Sequence, residues 1–108
     1  MIIEKKENYT LISSDENSFS EFILSFLKRE KEFKKVHLVL LISDEINIKK
    51  EEFSLFLKSF KKKKNTSFVI VSNNVNSDDV PENFNIVPTL TEAEDILEME
   101  AIERELGF

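Results

Sequence analysis

His37 is the only imidazole in this 108-residue sequence, and cysteine is absent. Without cysteine there is no thiolate nucleophile, no disulfide and no thiolate metal site. A metal site around His37 would have to draw its other ligands from carboxylates alone. General acid–base use of His37 would need a nucleophile and an orienting third group, and no such constellation accompanies it. Its place in the apolar run Val36-His37-Leu38-Val39-Leu40-Leu41-Ile42 favours a structural histidine, on a buried strand or at its start. The doublets Asp44-Glu45, Glu51-Glu52 and Asp78-Asp79 could offer oxygen ligands to a divalent cation. None has calcium-loop spacing, and adjacent side chains on a helix or strand diverge, so these doublets read as solvated ends of elements. The single glycine, Gly107, excludes a Gly-rich phosphate loop. Neither an enzyme nor a cofactor is expected.

Charge is concentrated at two places. Residues 91–106 hold Glu92, Glu94, Asp95, Glu98, Glu100, Glu103 and Glu105 against Arg104 alone, which accounts for the whole net charge of −6. The rest of the chain is balanced, so the sequence describes a neutral domain carrying an acidic C-terminal helix. The opposite feature is Lys61-Lys62-Lys63-Lys64. It could meet phosphates, but the broad basic field or recognisable motif of nucleic-acid binders does not accompany it. At a helix end the same four cations would complement the partial negative charge of the last carbonyls.

These residues must be positioned by strands and helices that the patterning predicts. Met1–Lys6 and Tyr9–Ser13 read as two strands joined by a hairpin at Glu7-Asn8. Ser18 and Glu21 have capping-box spacing, and Phe19, Phe22, Ile23, Phe26 and Leu27 recur with helical period up to Phe33. The run Val36–Ile42 predicts a central strand covered on both faces. A helix from about Lys49 to Lys62 places Phe53, Phe56, Leu57 and Phe60 on one stripe. Phe68–Val71 and Phe84–Val87 are further strands, separated by the polar segment Asn73–Asn83. Thr91 and Glu94 repeat the capping box, and Ala93, Ile96, Leu97, Met99, Ile102 and Leu106 are expected to form the apolar stripe of the last helix. Gly107 should end that helix in a left-handed conformation, with Phe108 folding back on it.

The expected fold is α/β, a single domain over residues 1–108. Its mixed, mostly parallel sheet of about five strands carries an N-terminal hairpin and is covered by three to four helices. The Phe-rich faces of the first two helices are core. Hydrophobic residues make up 41% of the chain, too many for a disordered tail, and charge interrupts them too often for a membrane protein. With no signal-like apolar run at Met1–Glu7, a soluble cytoplasmic location is the default expectation. Abundant Lys, Ile, Asn and Phe beside scarce Gly, Ala, Arg and Pro resemble the product of an AT-rich bacterial genome.

The order of elements resembles the STAS domain, the anti-sigma-factor antagonist fold. So does the run Leu38-Val39-Leu40-Leu41-Ile42-Ser43, which leads through Ile46-Asn47-Ile48 into a helix at about Lys49. In that family an Asp-Ser-Ser-Gly-type motif opens this helix, and its second Ser or Thr accepts phosphate from a partner kinase. The resemblance places the motif on Lys49-Lys50-Glu51-Glu52 and the phosphoacceptor position on Glu51, with Phe53 following. A carboxylate cannot accept phosphate, so Glu51 would act as a permanent mimic of the modified residue. Its alternative role is to stabilise the positive end of the helix dipole together with Glu52.

The ending, Val87-Pro88-Thr89-Leu90-Thr91-Glu92-Ala93-Glu94 and then Glu98 to Phe108, looks like that of short bacterial STAS-like proteins often labelled ribonuclease Z. Ribonuclease Z is a metallo-hydrolase whose zinc motif needs several histidines, so the likeness implies association at most. The resemblance therefore implies a non-catalytic regulatory or protein-interaction module, meeting a protein partner through Ser43, Lys50, Glu51 and Glu52. The alternative is an accessory to tRNA processing without nuclease activity of its own. Nucleic acid, membrane and metal are not expected among its partners.

Overall fold

The structure is a computed structural model that describes residues 1–59, 65–73 and 84–107. The N-terminal hairpin pairs β1 (Ile2–Lys5) antiparallel with β2 (Thr10–Ser13). The chain then crosses through α1 (Phe19–Lys28) to β3 (Leu38–Leu41), and through α2 (Lys50–Ser59) to β4 (Phe68–Val71). After β5 (Asn85–Val87) it ends in α3 (Leu90–Glu105). The five strands lie in the order β1-β2-β3-β4-β5, and every pair after the hairpin is parallel. The expected α/β class and mostly parallel five-stranded sheet are therefore observed.

This order explains the layering. Two successive crossovers that step the same way along a sheet, both right-handed, put their helices on one face. Accordingly α1 and α2 share a core with Ile12, Leu38, Leu40, Phe68 and Ile70. The alternate strand residues Leu11, Val39, Val69 and Val71 point the other way, onto Ala93 and Leu97 of α3. The two faces differ in bulk. Short valines and Ala93 let α3 approach closely on one side, whereas the other is filled with aromatic rings. Phe19 meets Phe53 and Phe56 at ring-centroid distances of 5.9 and 6.2 Å, and Phe26 meets Phe56 at 5.8 Å. Such edge-on contacts add about 0.5–1.5 kcal/mol each to the burial of the rings. Among the described residues, the expected Phe-rich helix stripes are core.

Several boundaries differ from expectation. The first helix does not run to Phe33. It ends at Arg29 and is followed by a 3-10 turn, Glu30–Phe33. In an unbroken helix Phe26 and Phe33 would be about 10 Å apart along the axis. The turn instead stacks their rings at 5.8 Å with an interplanar angle of 8°, and Phe33 is buried. His37 precedes β3 and is not part of it. The last helix is capped two residues earlier than expected: Thr89, in extended conformation, accepts from the Glu92 amide at 3.2 Å. Two overlapping Thr-x-x-Glu patterns compete here, and the earlier one also half-buries Leu90 against the sheet. The capping box at Ser18 forms as expected, with Ser18 Oγ accepting from the Glu21 amide.

The single apolar stripe expected on α3 is not observed. Ala93 and Leu97 are buried, but Met99, Ile102 and Leu106 are exposed. About two and a half helical turns separate Ala93 from Ile102, which places them on opposite sides. Gly107 does end the helix with φ at 81°. Phe60, Lys61–Lys64, the acidic doublet Asp78-Asp79, nearly all of the polar segment to Asn83, and Phe108 lie outside the described residues. No described helix is long and apolar enough to cross a membrane.

Candidate functional site

In parallel sheets, loops at the carboxyl ends of the strands carry most sites, and ligands enter where the strand order reverses. Here the order never reverses, so that crevice does not arise. The carboxyl ends instead form a rim of short polar side chains. After β2, the Ser14 Oγ accepts from the Ser43 amide at 2.8 Å, and the Ser14 amide donates to the Leu41 carbonyl. After β3, Ser43 Oγ accepts from the Glu45 amide at 3.2 Å while its carbonyl accepts from Ile46. After β4, the Asn73 amide group donates to Asp44 at 3.3 Å. A half-buried Ser43 thus folds the loop that delivers the chain to α2.

That loop ends where Lys49 accepts the first helical hydrogen bond, from the Phe53 amide. Lys49 carries only donors in its side chain and cannot cap the helix, so the first turn depends on Glu51 and Glu52 to complement its dipole. Lys50 and Glu51 are exposed and Glu52 is half-buried, because Phe53, Phe56 and Leu57 take the core side of the helix. Leu55, one turn beyond Glu51, is exposed. The four residues Ser43, Lys50, Glu51 and Glu52 therefore lie at one end of the sheet, on the loop and helix start that follow β3. Among the described residues the arrangement offers a polar surface of hydroxyl, carboxylate and amide groups.

A concavity unforeseen from the sequence lies at the opposite end of the sheet. A groove of about 540 Å³ runs between α3 and the amino ends of β2 and β3, lined by Asn8, Tyr9, His37, Glu94, Glu98 and Arg104 among others. Four of its polar groups, on Tyr9, Glu94, His37 and Arg104, are tied to one another or to the sheet. Tyr9 donates to Glu94 at 2.9 Å, and burial followed by that carboxylate pushes the phenol up to about 12. The Ser67 amide donates to His37 Nδ1, which leaves the neutral ring's proton on Nε2. Burial, and then the Arg104 charge, hold the imidazole below its usual range. Arg104 donates to the Ser67 hydroxyl at 3.1 Å. Ser67 and His37 are thus neighbours without being a nucleophile and its base, since the hydroxyl is buried and held by the guanidinium. The usable signal for this groove was Arg104, the lone cation among seven acids. It sits on the Ala93-Leu97 side of the helix.

No protein-family model matches the chain, and no curated protein matches it either.

Proposed function

We propose that the chain is a non-catalytic protein-interaction module of STAS-like architecture, which presents the rim formed by Ser43, Lys50, Glu51 and Glu52 to a protein partner. The observation that carries this reading is the exposure of Glu51 in the first turn of the helix after β3. The STAS resemblance assigns the phosphoacceptor to that position. A fixed carboxylate there supplies negative charge at a helix start without any modification. The strand order with an antiparallel β1 supports the same reading.

The test is a photo-crosslinking amino acid placed at the exposed Leu55, one turn beyond an intact Glu51, and, separately, at the exposed Glu4 on the edge strand. Native lysate should give a discrete protein adduct from position 55 and none from position 4, and Glu51→Lys should weaken the adduct. A folded protein that yields no adduct at position 55, the same adducts at both positions, or an adduct unchanged by Glu51→Lys overturns the proposal.

A further inference from the structure

The outer face of α3 is unusual for a surface helix. Met99, Ile102 and Leu106 are 58%, 50% and 66% exposed and follow the i, i+3, i+7 spacing of a coiled-coil seam. They form a stripe about 10 Å long. With Met99 and Leu106 at a positions and Ile102 at d, the e and g positions that flank them are Glu98, Glu103 and Glu105. All three are exposed acids. The inner face of the same helix is already buried on the sheet through Ala93 and Leu97.

The charge pattern selects the occupant. A second copy packed on this stripe would set glutamates against glutamates in either helix orientation, which repels. Nucleic acid and anionic lipid surfaces are repelled in the same way. Three apolar side chains over two turns also fall short of the ~1,200–2,000 Å² that stable complexes bury. We infer that the outer face of α3 docks an amphipathic helix of another protein, one with apolar residues at a and d and Lys or Arg at e and g, in a reversible, salt-sensitive contact. This surface is separate from the rim at Glu51, and its test is independent of that reading. Because α3 is held in place by the sheet, only the incoming helix has to be ordered on binding.

The probe is a synthetic peptide of about three heptads with Leu at a and d and Lys at e and g, beside a twin with Glu at e and g. Titration at low salt, read by NMR shifts and calorimetry, should show the Lys peptide binding at Met99, Ile102 and Leu106, and the Glu peptide not binding. Ile102→Glu should weaken binding at least ~10-fold. That variant separates the proposal from simple charge attraction, since added acidity alone would strengthen binding of a basic peptide. The triple variant Glu98→Lys, Glu103→Lys, Glu105→Lys should reverse the preference to the Glu peptide. Ile102 is half-exposed, and an unchanged circular dichroism melt confirms that the variants fold. The proposal is overturned if Ile102→Glu binds the Lys peptide as well as the parent does. It is equally overturned if the parent dimerises through this face or is captured by phosphatidylserine vesicles.

Discussion

The backbone amide of Ser67 donates to Nδ1 of His37 at 2.9 Å, across the amino ends of β3 and β4. A ring that accepts at Nδ1 cannot also carry a proton there, so protonation of His37 sets donor against donor. Burial and Arg104 act in the same direction, with Glu100 opposing them. The folded-state value is therefore lowered from 6.5. Above the unfolded value both states are neutral and stability is flat; below it the unfolded chain takes up a proton first. Stability should begin to fall below about pH 6.5 and stop responding to this group below its lowered folded value. Urea midpoints measured from pH 8 to pH 5 should show this slope in the parent and lose it in His37→Gln.

The same cluster predicts a coupled pair. Ser67 is 1% exposed and its hydroxyl accepts from Arg104. Arg104→Met strips that buried hydroxyl of its charged donor and should cost about 1–3 kcal/mol. Adding Ser67→Ala should recover much of the loss, giving a non-zero coupling in a double-mutant cycle. Arg104→Met should also raise the His37 titration midpoint, followed by its ring-proton NMR shift, because a neighbouring cation has gone.

Helix caps offer a direct check on where α3 begins. Ser18→Ala and Thr89→Ala should each destabilise by about 1 kcal/mol and should add, because the two caps belong to separate helices. Thr91→Ala should be close to neutral, since Thr91 is exposed inside the first turn. Equal effects at Thr89 and Thr91 would move the helix start by two residues.

The 3-10 turn gives a contrast between packing and charge. Phe33→Ala removes a buried ring stacked on Phe26 and should cost about 3 kcal/mol, measured by denaturant unfolding. Arg29→Ala removes an exposed bidentate pair with Glu32, 2.6 Å at the shorter contact. It should leave the midpoint nearly unchanged, because solvent screens such pairs.

Most of the architecture was legible because continuous apolar runs mark the central strands and a helical repeat marks α1 and α2, both written in Phe, Val, Leu and Ile. The misreadings have local causes. Phe33 fits a helical repeat, but its ring reaches Phe26 only if the helix breaks. In α3 the apolar residues occupy two opposite stripes, and a count of apolar residues in sequence cannot separate a face that meets a sheet from one that meets solvent. The Tyr9–Glu94 pair spans 85 residues, a distance at which no spacing rule applies. Glu51 and Ser43 were found by resemblance, and their exposure follows from the Phe53 and Phe56 periodicity that turns the first-turn acids outward.

Each strand of the described sheet after β1 is hydrogen-bonded to the strand that precedes it in the chain. Each new strand therefore finds its docking edge among residues already made, and no early strand must wait for a late one to arrive. Such sequential pairing keeps loop closures short and favours rapid folding. On the ribosome the hairpin can form first, each strand can be added as it emerges, and α3 can seal the valine face last. Pulse-labelled amide exchange on stalled nascent chains would register this as protection that appears in strand order.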